Sequence, residues 1–217
     1  MKSRFVSPHD LGRDLEPLLT DERRARIDAV LAGRTRAVTV VLDGLIDPHN
    51  VSAVLRSADA FGVQRVHLVE GDTRMRVARR ITQGCERWLE VMHHPSITAC
   101  LRWLHEHGYR VLVASADGET TPEALPDVPR LAIVFGNEHA GASHAAREGA
   151  DGTYAIPMRG FVDSLNVSVA AAITLQQAMR GREGDLDAHD RQQLRARFLL
   201  TAVPRAREII AAALGPA

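Results

Sequence analysis

The chain has 217 residues, 45% hydrophobic and 25% charged, and its 27 basic and 27 acidic side chains leave no net formal charge. This is ordinary soluble globular composition, enough for one domain with appended helices. No apolar run approaches the roughly 20 residues of a membrane helix, and the start (MKSRFVSPHD) lacks the apolar stretch of a secretory signal, so a cytoplasmic protein without a membrane partner is expected.

In chain order, Thr20 is placed to cap a helix in which Ile27, Val30 and Leu31 share one face and Gly33 ends the turn. Strands are predicted at Ala37–Leu42, Arg65–Val69, Arg110–Ala114, Leu131–Phe135 and Thr153–Ile156, with helices near 49–61, 74–84, 96–107, 142–148 and 166–181. Hydrophobicity in the strands is continuous rather than alternating, the pattern of strands buried on both faces. The expected class is therefore α/β, a mainly parallel sheet with helices on both faces. After Gly181–Asp185 a helix is predicted around 188–201, and Pro204 is placed to start a last one ending at Leu214. The organisation expected is an N-terminal helical extension (1–36), a central α/β domain (37–181) and a C-terminal helical extension (182–217).

Cys85 and Cys100 lack CxxC spacing and read as reduced thiols. His93-His94 and His105-x-His107 have no cysteine partners at metal spacing, so no metal is expected. Charge is segregated: residues 74–87 carry Arg74, Arg76, Arg79, Arg80 and Arg87 against Glu86 alone, whereas 117–151 carry seven acids and two arginines. A local basic surface can therefore exist on a neutral chain, although all basic residues but Lys2 are arginines, a bias that GC-rich coding also produces.

No GxGxxG follows a strand, which argues against a dinucleotide fold. Gly136–Ser143 (GNEHAGAS) resembles a phosphate loop with alanine in place of the lysine that would reach the phosphates, so an NTPase is rejected. Three segments that follow strands mix glycine with polar side chains: Asp47–Gly62, Ile133–Gly141 and Ile156–Ala170. Ligands of α/β sheets sit at the carboxyl ends of strands, so these loops are suited to line one pocket. Ser164 and Asn166 stand where a helix begins, a position that fits both a cap and a ligand contact.

In order and in sequence these segments resemble the three motifs of the SPOUT class of RNA methyltransferases, in particular the TrmH family of ribose 2′-O-methyltransferases. The resemblance covers about residues 37–181 and is carried above all by IPM-x-G-x-x-x-SLNVSVA in the third segment. It implies an α/β fold with a C-terminal trefoil knot, S-adenosylmethionine as cofactor, a homodimer and a tRNA substrate, guanosine 18 of the D-loop. A wobble nucleotide, 23S rRNA and a non-enzymatic RNA chaperone are the alternatives. It places the family's catalytic set on Asn50, Arg56, Glu138, Ser164 and Asn166. Cofactor contacts, mostly through backbone, fall near Ala114, Ser115, Gly136, Asn137, Ile156, Met158, Ser164 and Leu165.

Each of these residues also fits a plainer role: Asn50 as a helix cap, Glu138 as a brace for loop backbone, Arg56 as a solvated helix residue. The family proposal makes the motif-one arginine, here Arg56, the general base. A guanidinium with a pKa above about 12 is better suited to steadying the developing alkoxide and an RNA phosphate. By pKa, His49 or His139 is a more natural base. RNA contacts are expected from Arg23, Arg24, Arg26, the five arginines of 74–87, Arg195 and Arg197.

Overall fold

A run such as Leu131-Ala-Ile-Val-Phe135 has no polar face, and the computed structural model, which describes residues 8–69 and 84–214, buries all five of its residues. Among the described residues six strands form one sheet: β1 (Thr35–Asp43), β2 (Val63–Val69), β3 (Glu90–His94), β4 (Arg110–Ala114), β5 (Leu131–Phe135) and β6 (Gly152–Tyr154). Their order is β3-β2-β1-β5-β4-β6, and every pair is parallel. Side chains alternate between two cores, as a period of two demands. Leu131, Ile133 and Phe135 pack with Val40 and Leu42 against α3 (Pro48–Ala60) and α6 (Val167–Ala178). Ala132 and Val134 pack with Val41, Val111 and Val113 against α4 (Ile97–Glu106) and α5 (His144–Gly149).

This central unit spans Thr35–Glu183; a second unit combines both ends of the chain, Met1–Arg34 and Gly184–Ala217. The two terminal extensions expected from sequence thus belong to one body. Within it, α1 (Pro8–Leu15) and α2 (Asp21–Ala32) both pack on α7 (Ala188–Ala202), and α8 (Ala206–Leu214) packs on α1 and α7. Thr20 caps α2 by accepting the Arg23 N–H at 3.2 Å.

Strand expectations hold at β1, β2, β4, β5 and β6, with the last ending at Tyr154. Strand β3 was not among them. Its sequence EVMHH has a charged start and a polar end, because it is an edge strand whose Glu90 carboxylate receives Arg36 and Arg65 from β1 and β2. The helix expected at 74–84 lies outside the described residues.

Two glycines are required by close backbone approach. A Cβ on Gly118 would lie 2.1 Å from the carbonyl carbon of Tyr154, and one on Gly136 would lie 2.0 Å from the Ala142 nitrogen. Both distances are far inside van der Waals contact, so the loops after β4 and β5 can close only with glycine there.

Candidate active site

The loop from β1 to α3 begins the site. Asp47 caps α3, its carboxylate accepting the His49 N–H at 2.9 Å. Asn50 is therefore relieved of the capping role that its position also suited. It lies one turn into the helix, buried, and its amide Nδ2 donates to Glu138 Oε1 at 2.8 Å. Its Oδ1 accepts from Asn166 Nδ2 at 3.0 Å. Asn166 in turn caps α6, its Oδ1 accepting the Ser168 N–H at 2.9 Å. The question of cap or site wall at this helix start has both answers.

Backbone bracing in the second segment falls to Asn137 rather than Glu138. Asn137 Oδ1 accepts from the N–H of His139 and Ala140 at 2.8 and 3.2 Å, and its Nδ2 donates to the Gly44 carbonyl at 2.9 Å. Gly141 closes the loop with φ +70°, exchanging two backbone hydrogen bonds with Asn137 at 2.9 Å. The Ser143 N–H then donates to Asp43 Oδ2 at 3.0 Å, fixing the start of α5 to the end of β1. With its backbone held this way, Glu138 is free to present its carboxylate.

Loops at the carboxyl ends of β4, β5 and β6 and the first turn of α6 enclose a cavity of about 550 Å³. Ala114, Ser115, Gly136, Asn137, Ile156, Met158, Ser164 and Leu165 all lie on its wall, as do Glu138 and Asn166. Sequence reasoning did not single out the apolar wall residues Phe135, Tyr154, Val167 and Ala170, which read simply as core. It also missed two charged ones, Arg147 and Asp163. Arg147 reaches Asp117 at 3.3 Å; the hydroxyl of Ser115, first, and then Arg147 hold the Asp117 carboxyl below its ordinary range.

Arg56 is not brought to this wall. It is exposed on α3, six residues beyond Asn50 and so on a different side of the helix, with no hydrogen-bond or ion-pair partner among the described residues. His49 is exposed and off the wall, whereas His139 lies on it.

The arginines expected to meet RNA divide. Arg74, Arg76, Arg79 and Arg80 lie outside the described residues. Arg23, Arg26 and Arg87 are exposed, and Arg197 is half-buried on α7. Arg24 is half-buried, pairing with Asp21 at 3.2 Å and donating to the Leu19 carbonyl. Arg195 is half-buried in the terminal unit and pairs with both Glu16 and Asp28. Sequence could not show this, since its partners stand 179 and 167 residues away.

His67, His94 and the buried Cys100 bring their donor atoms within 4.8 Å of one another. His67 Nδ1 and His94 Nε2 are 2.8 Å apart, a hydrogen bond and closer than the roughly 3.3 Å between two ligands of a tetrahedral zinc. Burial pushes the Cys100 thiol up to about 12, so it is no nucleophile.

A parallel α/β sheet with a cavity over its carboxyl edge, walled by a carboxylate held in an amide network, defines an enzyme domain that takes a small organic ligand. The chain belongs to the SpoU rRNA methylase family, whose model matches residues 37–176. Among its relatives is a tRNA (guanosine(18)-2′-O)-methyltransferase of Thermus thermophilus, 38% identical over 164 residues, or 75% of this chain and 84% of that one. The structure resembles the crystal structure of an A. aeolicus TrmH/SpoU tRNA modifying enzyme, with a TM-score of 0.76 and 28% identity over 85% of this chain and 98% of the other. It also resembles the SpoU methyltransferase AviRb from Streptomyces viridochromogenes in complex with the cofactor AdoMet. There the TM-score is 0.61 and the identity 26%, over 70% of this chain and 60% of that one.

Proposed function

We propose that this chain is an S-adenosylmethionine-dependent ribose 2′-O-methyltransferase of tRNA that modifies guanosine 18. The observation that carries the reading is the network Glu138–Asn50–Asn166. It joins all three sequence motifs, from positions up to 116 residues apart, at the wall of one cavity. The relative from Thermus thermophilus, which carries that activity in its name, supports the substrate.

The cavity suits the cofactor. Its volume of about 550 Å³ lies within the roughly 300–1,000 Å³ of small-molecule sites. Phe135, Ile156, Leu165 and Ala170 offer an apolar bed for an adenine, and Asp163 and Arg147 offer charges opposite to those of the sulfonium and the amino-acid end. When bound, S-adenosylmethionine supplies an electrophilic methyl group. The chain's own part is to hold the ribose oxygen in line with it. Alignment of two reactants alone is worth roughly 7–11 kcal/mol of barrier.

The knot expected from the resemblance draws its support from the family, and the segment after β4 runs parallel to the end of β6, with Gly118 packed against Tyr154–Ala155. A homodimer is supported by apolar side chains left exposed in the central unit: Phe161, Val162 and Ile46 in loops, and Val169 and Ile173 one turn apart on α6. In such a dimer a second copy brings Arg56 to the cavity that its own chain leaves without it.

The test is transfer of a radiolabelled methyl group from S-adenosylmethionine to an unmodified tRNA transcript, followed by mapping of the product nucleotide. A 2′-O-methyl at guanosine 18 is expected. Methylation only at another nucleotide, or only of 23S rRNA, overturns the substrate and keeps the reaction. Cofactor binding without transfer to any RNA overturns the enzyme in favour of an RNA-binding protein.

A further inference from the structure

The hydrogen-bond chain that ends on Glu138 has a fixed direction. The Ser168 backbone N–H can only donate, so the Asn166 atom facing it at 2.9 Å is the carbonyl Oδ1. The Asn166 atom facing Asn50 is then Nδ2, a donor, which makes the Asn50 atom 3.0 Å away its acceptor Oδ1. Asn50 consequently turns its own Nδ2 to Glu138, and Glu138 Oε1 must accept it at 2.8 Å. The Ser168 amide, the second of α6, thus sets the polarity of the whole relay. Glu138 receives a hydrogen bond on one oxygen, and Oε2 has no partner among the described residues although Glu138 lines the cavity. Arg56, the other candidate to manage a proton, is a guanidinium that stays charged whichever chain brings it to the cavity, so it suits anion stabilisation rather than proton removal.

We propose that Glu138 is the proton acceptor for the ribose 2′-hydroxyl, and that Asn50 and Asn166 are positioning residues that keep its carboxylate aimed. This rests on the methyltransferase reading above. The O2′–C bond forms as the sulfonium S–C bond gives its electron pair to sulfur, leaving a thioether. The O2′–H bond breaks in the same event, and its proton goes to Glu138 Oε2, so no oxidant or second reactant is needed. Asp163, Arg147 and His139 line the same cavity, His49 adjoins Asn50 on α3, and Asn166 brings no charge.

The experiment is single-turnover methyl transfer to tRNA across pH, with S-adenosylmethionine affinity measured by calorimetry. The wild-type rate is expected to fall on the acid side. Glu138→Gln keeps the acceptor for Asn50; its rate should drop about 10²–10⁴-fold and lose the acid limb, with cofactor affinity unchanged. Asn50→Asp sets a second carboxylate against Glu138 and should move the acid limb to higher pH, restoring rate in alkali. A Glu138→Gln enzyme that keeps its rate or its acid limb overturns the assignment, as does one that loses rate and cofactor affinity together while still folded. If Glu138→Gln shows no cooperative melt, an unmoved limb in Asn50→Asp is decisive against it. A wild type that methylates no RNA takes down the methyltransferase reading itself, a result separate from these.

Discussion

His67 and His94 share a hydrogen bond on neighbouring strands, stacked beside Trp103, and both are buried. Burial first, then the neighbouring His94, Arg65 and His107, hold His67 down at about 3; burial and His93 lower His94. In the unfolded chain a histidine takes up its proton near 6.5. Between pH 6.5 and 3 the unfolded state therefore binds a proton that folded His67 refuses, and stability falls as pH falls. The slope should approach about 1.4 kcal/mol per pH unit for each such histidine. Urea melts at pH 7.5 and 5 measure it. Replacing the pair as His67→Leu with His94→Leu removes donor and acceptor together and should flatten the slope; an unchanged slope would show that other groups govern acid unfolding. None of this was legible in the sequence, where His93-His94 reads as surface and His67 is one polar residue in an apolar run. The same holds for Asn50. Its type and motif were legible, but its work as a buried link depends on partners 88 and 116 residues away.

Elements were more legible than contacts, because local chemistry writes them. Thr20, Ser143 and Asn166 each cap a helix through their side chains, and continuous apolar runs locate five strands. The misses have local causes as well: β3 is a polar edge, and α1 is amphipathic but short. Glycines in the motif segments separate the demands of folding from those of function. Gly136 and Gly118 face backbone at 2.0 and 2.1 Å, whereas a Cβ on Gly160 would meet nothing within 4 Å. Gly136→Ala and Gly118→Ala should each cost more than about 3 kcal/mol, since backbone rather than a flexible side chain must yield. Gly160→Ala should leave the thermal midpoint unchanged. If it also abolishes methyl transfer, its glycine serves a ligand or a second copy of the chain rather than the fold. A strongly destabilised Gly160→Ala, or a Gly136→Ala as stable as wild type, would contradict this division.

At the scale of the whole molecule the unsettled relation is between Arg56 and the cavity. One chain carries the cavity, Glu138 and the amide relay, but leaves Arg56 exposed elsewhere on α3 and leaves Val169 and Ile173 uncovered on the helix that packs against α3. A two-fold dimer would cover the apolar residues and supply the arginine across the interface, each copy completing the other's site. The arrangement has a signature that no single-chain site can imitate. Arg56→Ala and Glu138→Gln chains are each expected to be inactive alone. Mixed, exchanged and allowed to pair at random, half of the dimers hold one chain of each kind. Within such a dimer, one cavity keeps Glu138 and borrows the intact Arg56, while the other lacks both. Activity should return to about a quarter of wild type. If Arg56 serves its own chain's cavity, every site in every dimer lacks one residue, and mixing restores nothing. Sedimentation of Val169→Glu/Ile173→Glu chains supplies the physical half of the test: a monomer that binds S-adenosylmethionine but transfers no methyl group is expected. A monomer with full activity would mean that α6 and Arg56 have no part in a shared site.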